Sequence, residues 1–253
     1  MSGTLCMTVD VEDFAEGMAV LGHPVPGAGD KAHGAGRDNG LGALLDRLVS
    51  LPGRPTITLF VVGRHARPLA GALADFVAEG HEVASHGPDH GRLPAGGVVD
   101  WLRAGREVLE DLLGIAVHGF RSPRFDLPPD APLAQYREWL AEAGYTYVSD
   151  SSLLGDGSPV RELPVLTSRG LPIGGGSYQR FLPTRMVAEA VRASTRPAVC
   201  YYHSYDFDGT VPPLRKVRTA ALAKQALARG RIAGVFAGLT EEFGSTTCGN
   251  VTS

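Results

Sequence analysis

No stretch of this 253-residue sequence approaches the ~20 consecutive apolar residues that a membrane-spanning helix needs, so no membrane insertion is expected. Met1 to Met7 carry no basic segment leading into an apolar one, and no secretory signal is read there. Cysteine is scarce. Cys6, Cys200 and Cys248 are far apart and odd in number, which argues against a disulfide framework. Cys6 and Cys200 lie inside apolar runs and read as small core residues. An excess of one charge is also missing: 24 Lys and Arg face 27 Asp and Glu, for a formal net charge of −3. That balance gives no electrostatic ground for expecting nucleic acid or an anionic membrane as partner. Repeats, low-complexity linkers and a recognisable carbohydrate-binding module are absent, so residues 1–253 read as one domain. The cytoplasm is the default address.

What is present is ordinary globular composition, 43% hydrophobic and 20% charged, arranged in a regular alternation. Buried strands are predicted over 5–11, 56–62, 81–85, 117–120, 145–148, 198–203 and 232–237. Helices are predicted over 41–50, 68–79, 98–113, 133–143, 184–193 and 214–228, with Asn39 a candidate cap for the first. Gly80, Gly114 and Gly144 stand where a helix C-terminus needs a glycine. Residues 15–40 read as a long glycine-rich loop, and 161–172 as irregular extended chain. Strands that are apolar throughout and alternate with helices indicate a parallel sheet with helices outside it. The fold class is therefore α/β, a distorted (β/α) barrel of about seven parallel strands.

Ionisable residues recur where these strands end. Asp10, Glu12 and Asp13 follow the first strand, and His86 and His90 the third. Arg121 follows the fourth, Asp150 the fifth, and His203 closes the run Val199-Cys200-Tyr201-Tyr202. Each has a bland reading on its own. An H-x-x-x-H pair is common on surfaces, an acidic triplet can be a solvated turn, and a lone strand histidine can be a hydrogen-bonded core residue. Together they are a poor way to build a core, because every desolvated charge costs free energy unless paired. Gathered at the mouth of a barrel they can pair and hold a metal. Two histidines and a carboxylate form an open ligand set for a catalytic divalent ion, with a further carboxylate and a distant histidine to serve as base and acid. The run Gly174-Gly175-Gly176 lacks the G-K-[ST] ending of a phosphate loop and reads as a turn shaping the cleft.

Five stretches in order, TVDVEDF (8–14), GHEVASHGPDH (80–90), GFRSPRF (119–125), LPIGGGSYQRFLP (171–183) and PAVCYYHSYDFD (197–208), resemble the NodB-homology polysaccharide deacetylases, carbohydrate esterase family four. The likeness is strongest to the subgroup associated with exopolysaccharide biosynthesis. It implies one divalent metal, usually zinc with Co²⁺, Ni²⁺ or Fe²⁺ as alternatives, and an N-acetylated sugar as substrate. By position it implies His86 and His90 as metal ligands, Asp10 as catalytic base, Arg121 as the residue orienting that base, and His203 as general acid. Asp150 matches the acid that keeps this histidine charged. The family's first motif has two adjacent Asp; here it is Asp10-Val11-Glu12-Asp13, which leaves both Glu12 and Asp13 as candidates for the carboxylate ligand. The expected activity is hydrolysis of the acetamide of an amino sugar. Rival readings are a deformylase or cyclic imide or ureide hydrolase on the same scaffold, and a catalytically silent sugar-binding protein.

Overall fold

The strand Leu5–Val11 (β1) is buried at every position, as a strand must be when both of its faces are covered. In the computed structural model, which describes residues 3–14, 40–125, 132–150, 160–207 and 228–252, β1 lies between two parallel neighbours. Thr58–Val61 (β2) pairs on one side and Ala198–His203 (β7) on the other. Glu82–Ser85 (β3), Gly119–Phe120 (β4), Tyr147–Val148 (β5) and Arg161–Glu162 (β6) follow beyond β2, giving the order β6-β5-β4-β3-β2-β1-β7 with every pairing parallel. The two ends of the sheet come together just past β6, where Val165 bridges Val199 of β7 and the Leu166 N–H donates to the Val199 carbonyl at 2.9 Å. The sheet thus curls into the distorted (β/α) barrel of a single domain that the alternation predicts.

Helices cover the outside. Leu41–Ser50 (α1) buries Leu41, Leu44 and Leu48, and the helix Ala70–Ala78 (α2) buries Leu73 and Phe76. Val98–Leu113 (α3) buries Val98, Leu102, Gly105 and Leu109 and ends at Gly114, whose φ of 65° a glycine adopts without strain. Leu133–Glu142 (α4) and Thr184–Ala193 (α5) fall within a residue of their predicted spans. The predicted helix 68–79 is regular only from Ala70; ahead of it come the turn Gly63–Ala66 and the 3-10 segment Arg67–Leu69, whose first turn tolerates Pro68. The Asn39 cap, the 15–39 loop and residues 214–227 of the last predicted helix lie outside the described residues.

One predicted strand is a helix. Residues 232–237 open Ile232–Phe243 (α6), which buries Ile232, Val235, Phe236, Leu239 and Thr240. That i, i+3, i+4, i+7, i+8 spacing is helical, and a window of six apolar-rich residues was too short to separate it from a strand. The seventh strand comes instead from β6, inside the segment read as irregular.

A second, inner core of Cys6, Phe60, Ala84, Tyr147, Leu163, Val199 and Cys248 fills the barrel. Cys248 belongs to the C-terminal helix Cys248–Thr252 (α7), which docks at the N-terminal ends of the strands. Glu82 secures it by accepting from Thr58 Oγ1 at 2.7 Å, Tyr147 Oη at 2.9 Å and the Gly249 N–H at 2.9 Å. Glu82→Ala leaves these donors without their acceptor and should lower stability by about 2–4 kcal/mol in urea denaturation. The Glu82→Gln variant, which keeps one acceptor oxygen, should lose less.

Candidate active site

The residues that a barrel uses for chemistry stand at the opposite end, where the strands finish. Register fixes the first pair. Asp10 of β1 is level with His203 of β7 and Phe60 of β2, so their side chains share the inner face. Glu12 follows two residues on and returns to the same side.

Arg121, just past β4, is fully buried beside Asp10. Its Nη1 donates to Asp10 Oδ1 at 2.6 Å and to Thr8 Oγ1 at 2.8 Å. Nε donates to the Ser149 carbonyl at 2.9 Å, Nη2 to Ser149 Oγ at 2.8 Å, and the guanidinium lies 4.0 Å over the Phe60 ring. Its donors are thus spent on holding one plane, and the charge-assisted bond to Asp10 fixes that carboxylate.

His86 continues β3, and its Nδ1 lies 2.8 Å from the Arg121 carbonyl oxygen, which leaves Nε2 as the ring nitrogen that can serve as a ligand. The turn at Gly87 has a φ of 79°, and a Cβ there would strike the Trp101 ring. This turn, rather than a helix, brings His90 back beside His86, with ring centroids 5.5 Å apart. His90 Nε2 contacts Glu12 Oε2. Ligand atoms of Glu12, His86 and His90 all lie within 4.8 Å of one another, and all three residues are buried.

This set fits a divalent metal. Burial lowers the His86 pKa to about 4, so it offers a neutral imidazole. Burial would raise Glu12, but the charges of His90, His203 and His86 outweigh it and hold it at about 2, a carboxylate at any ordinary pH. Two imidazoles and one carboxylate are a three-ligand set that leaves a position open. Of the two acidic candidates, Glu12 joins the histidines, whereas Asp13 lies outside this group and acts on His65. Burial, with Arg64, lowers the His65 pKa to about 4, and its place beside Asp13, Glu12 and His90 had no counterpart in the sequence reading.

His203 Nε2 lies 3.6 Å from Glu12 Oε1, and its ring stacks on Tyr205 at 4.7 Å. Here one expectation is corrected: the carboxylate facing His203 is Asp206, not Asp150. Asp206 Oδ2 lies 3.7 Å from Nδ1 and accepts the His203 backbone N–H at 3.2 Å, through the 3-10 turn Ser204–Asp206. Its other oxygen is held by Arg180, and neither side chain of that pair is exposed. Burial disfavours charge on His203, but Asp206, Glu12 and Asp10 prevail and raise its pKa. Asp150 is spent elsewhere. It accepts from the Ser122 N–H at 2.9 Å, Ser122 Oγ at 2.7 Å and Tyr136 Oη at 3.0 Å, so it ties down the turn that carries Arg121.

Of the aromatic candidates, Tyr202 is core, donating to Gln179 Oε1 at 2.6 Å, and Trp101 packs on Phe120. Tyr201 and Phe125 meet edge to face at 4.9 Å beside Arg121 and are the ones placed at the site. The glycine run is a close approach to β7: a Cβ on Gly174 would lie 2.6 Å from the Val199 carbonyl oxygen, and one on Gly175 would lie 2.8 Å from the Tyr201 ring.

Solved structures share this barrel. A presumed polysaccharide deacetylase from Mycobacterium smegmatis superposes with a TM-score of 0.60 at 24% identity, over 95% of this chain and 86% of that one. A peptidoglycan N-acetylglucosamine deacetylase gives 0.54 at 12%, over 98% and 87%. This chain has the fold of the carbohydrate esterase family four deacetylases. A pseudoenzyme of that family from Bacillus anthracis also superposes, with a TM-score of 0.54 at 11% identity, over 100% of this chain and 66% of that one, so the deacetylase fold by itself does not carry an activity. Residues 144–253 match a family described as a domain of unknown function, DUF3473. No curated protein sequence matches the chain.

Proposed function

We propose that this protein is a metal-dependent N-deacetylase that hydrolyses the acetamide of an N-acetylated amino sugar. The observation that carries the reading is the meeting of Glu12, His86 and His90 beside the buried Asp10–Arg121 pair, with His203 Nε2 3.6 Å from Glu12 Oε1. Residues Glu12, His86 and His90 would hold the ion, and zinc is the metal that suits two imidazoles and a carboxylate best. A divalent metal there supplies Lewis-acid polarisation of the acyl group and lowers the pKa of water.

The chain's own residues do the rest. Arg121 holds Asp10 by Oδ1, which leaves Oδ2 to take the proton of the attacking water. His203, level with Asp10 on the neighbouring strand and kept charged by Asp206, gives its proton to the departing amine, which is otherwise a poor leaving group. Tyr201 and Phe125 give the sugar an aromatic wall. The three cysteines are all buried thiols, which supports a reducing compartment such as the cytoplasm.

The test is metal content of the purified protein followed by acetate release from N-acetylglucosamine substrates of increasing size. About one ion per chain with chelator-sensitive release supports the reading; bound metal without acetate moves it to another acyl group. Absence of metal overturns it. A paired substitution tests the corrected carboxylate. Asp206→Asn should lower kcat by ~10–10²-fold with metal and KM retained, part of the ~10²–10⁴ that a general acid supplies. Asp150→Asn should change kcat by less than ~3-fold and instead cost about 1–2 kcal/mol of stability, as expected where hydrogen bonds to a buried carboxylate are weakened.

A further inference from the structure

Around His203 the chain reads Tyr201-Tyr202-His203-Ser204-Tyr205, with a tyrosine two residues away on either side. Tyr201 and His203 share one face of β7, and their rings meet edge to face at 5.8 Å. The 3-10 turn Ser204–Asp206 then changes the direction of the chain and lays the Tyr205 ring flat on the His203 imidazole. The two centroids are 4.7 Å apart and the planes are 5° from parallel. His203 is thus bracketed by two aromatic rings, one at its edge and one on its face.

Tyr205 is itself held in place. It is only 5% exposed, and Phe14 meets its ring edge to face at 5.2 Å. The hydroxyl of its neighbour Ser204 donates to the Glu12 carbonyl at 3.2 Å. Both contacts come from the end of β1, so the residue stacked on His203 is anchored to the segment that carries Glu12.

The imidazole needs such a support. The Cβ–Cγ torsion of histidine is a broad rotor without sharp minima. Asp206 Oδ2 lies 3.7 Å from Nδ1, longer than a hydrogen bond of normal length. The charge of Asp206 therefore selects which edge of the ring turns towards it, but leaves the plane free to rock. A parallel stack supplies the constraint that charge at this distance does not.

We propose that Tyr205 is a positioning residue for the general acid, holding the His203 imidazole in the plane from which Nε2 gives its proton to the sugar nitrogen as the C–N bond breaks. The role in turnover rests on the deacetylase reading; the placement of the ring does not.

The test compares Tyr205→Leu, which removes the flat ring, with Tyr205→Phe, which keeps it. On an N-acetylglucosamine substrate, Tyr205→Leu should lower kcat by ~10–10²-fold, part of what a general acid supplies, with KM and metal content unchanged. Tyr205→Phe should restore kcat to within ~3-fold of wild type, because stacking needs the ring and not the hydroxyl. Two readouts separate positioning from a general loss of structure. 4-Nitrophenyl acetate expels a phenolate that needs no proton, so its hydrolysis should be equal in all three proteins. In a His203→Ala background, Tyr205→Leu should cause no further loss on the amide, since a residue that acts only through His203 has nothing left to hold.

Proton–carbon NMR of the purified protein reads the ring without turnover, with His203→Ala assigning its signals. A ring stacked face-on shifts the His203 ring protons upfield. Tyr205→Leu should abolish that shift and Tyr205→Phe should keep it. Tyr205→Met, unbranched and adaptable, takes the place of the leucine variant if that one folds poorly. An equal fall for amide and ester, a further loss in the His203→Ala background, or unmoved His203 signals in Tyr205→Leu overturns the proposal. Wild-type protein that releases acetate from no N-acetylglucosamine substrate overturns the deacetylase reading and the role in turnover with it. The NMR signals then still decide whether Tyr205 holds the ring.

Discussion

His86→Ala should leave the purified protein with less than about a tenth of the metal of the wild type, and without measurable acetate release. Loss of an outer partner alone typically weakens a metal site by ~10–100-fold, and loss of a ligand should do more. The geometry adds a reason specific to this histidine. Its Nδ1 is anchored on the Arg121 carbonyl at 2.8 Å, so Nε2 is presented in one orientation that no neighbour reproduces. The same measurement separates the two acidic residues. Glu12→Gln should lose the metal as His86→Ala does, because Glu12 is the carboxylate packed against His90. Asp13→Asn should retain it. Element analysis of the three variants, each checked for folding by circular dichroism, decides the matter. Metal retained in His86→Ala, or lost in Asp13→Asn alone, would overturn the ligand assignment.

How far the sequence reaches depends on whether a feature is local. Leu5–Val11, Val98–Leu113, Thr184–Ala193 and Ala198–His203 have the spans that sequence predicts, because each has an unbroken apolar run or a full helical stripe of its own. Arg161–Glu162 has neither; it is a strand because Tyr147 and Val148 offer it partners, and no signal inside two charged residues announces that. Ile232–Phe243 failed for the reverse reason, since its first six residues suit either period and the deciding Leu239 and Thr240 lie beyond them. The site divides in the same way. Asp10, His86, His90, Arg121 and His203 stood out as candidates because a charge at the end of a buried strand is costly without a purpose, and the fold gathers them at one end of the barrel. Glu12 and Asp13 could not be ranked, because the path of the chain beyond β1 decides which one turns towards His90. Asp206 and Arg180 are 26 residues apart, in segments conspicuous for a histidine and for glycines, and their pairing is purely tertiary.

Asp10→Asn should lower kcat/KM by ~10²–10⁴ with metal content unchanged, the usual contribution of a general base. The substitution isolates chemistry from structure well at this position. Asparagine keeps the shape and one oxygen acceptor for Arg121 Nη1, and Arg121 retains its bonds to Thr8 and to both oxygens of Ser149. What disappears is the second carboxylate oxygen as a proton acceptor and the negative charge opposite a buried guanidinium. Some stability should therefore go as well, since breaking a buried ion pair from one side leaves the other charge uncompensated. Arg121→Lys supplies the contrast. A lysine cannot span Asp10, Thr8 and Ser149 together, nor lie flat on Phe60, so it should lose turnover and, with several hydrogen bonds to buried partners and the ring contact gone, a larger share of stability. Asp10→Asn should sit well above it in a urea titration while matching it in lost activity. If Asp10→Asn instead keeps more than about a third of the wild-type rate, Asp10 is a structural partner of Arg121. The base would then have to be sought among the carboxylates nearest to it, with Asp13 the first to substitute.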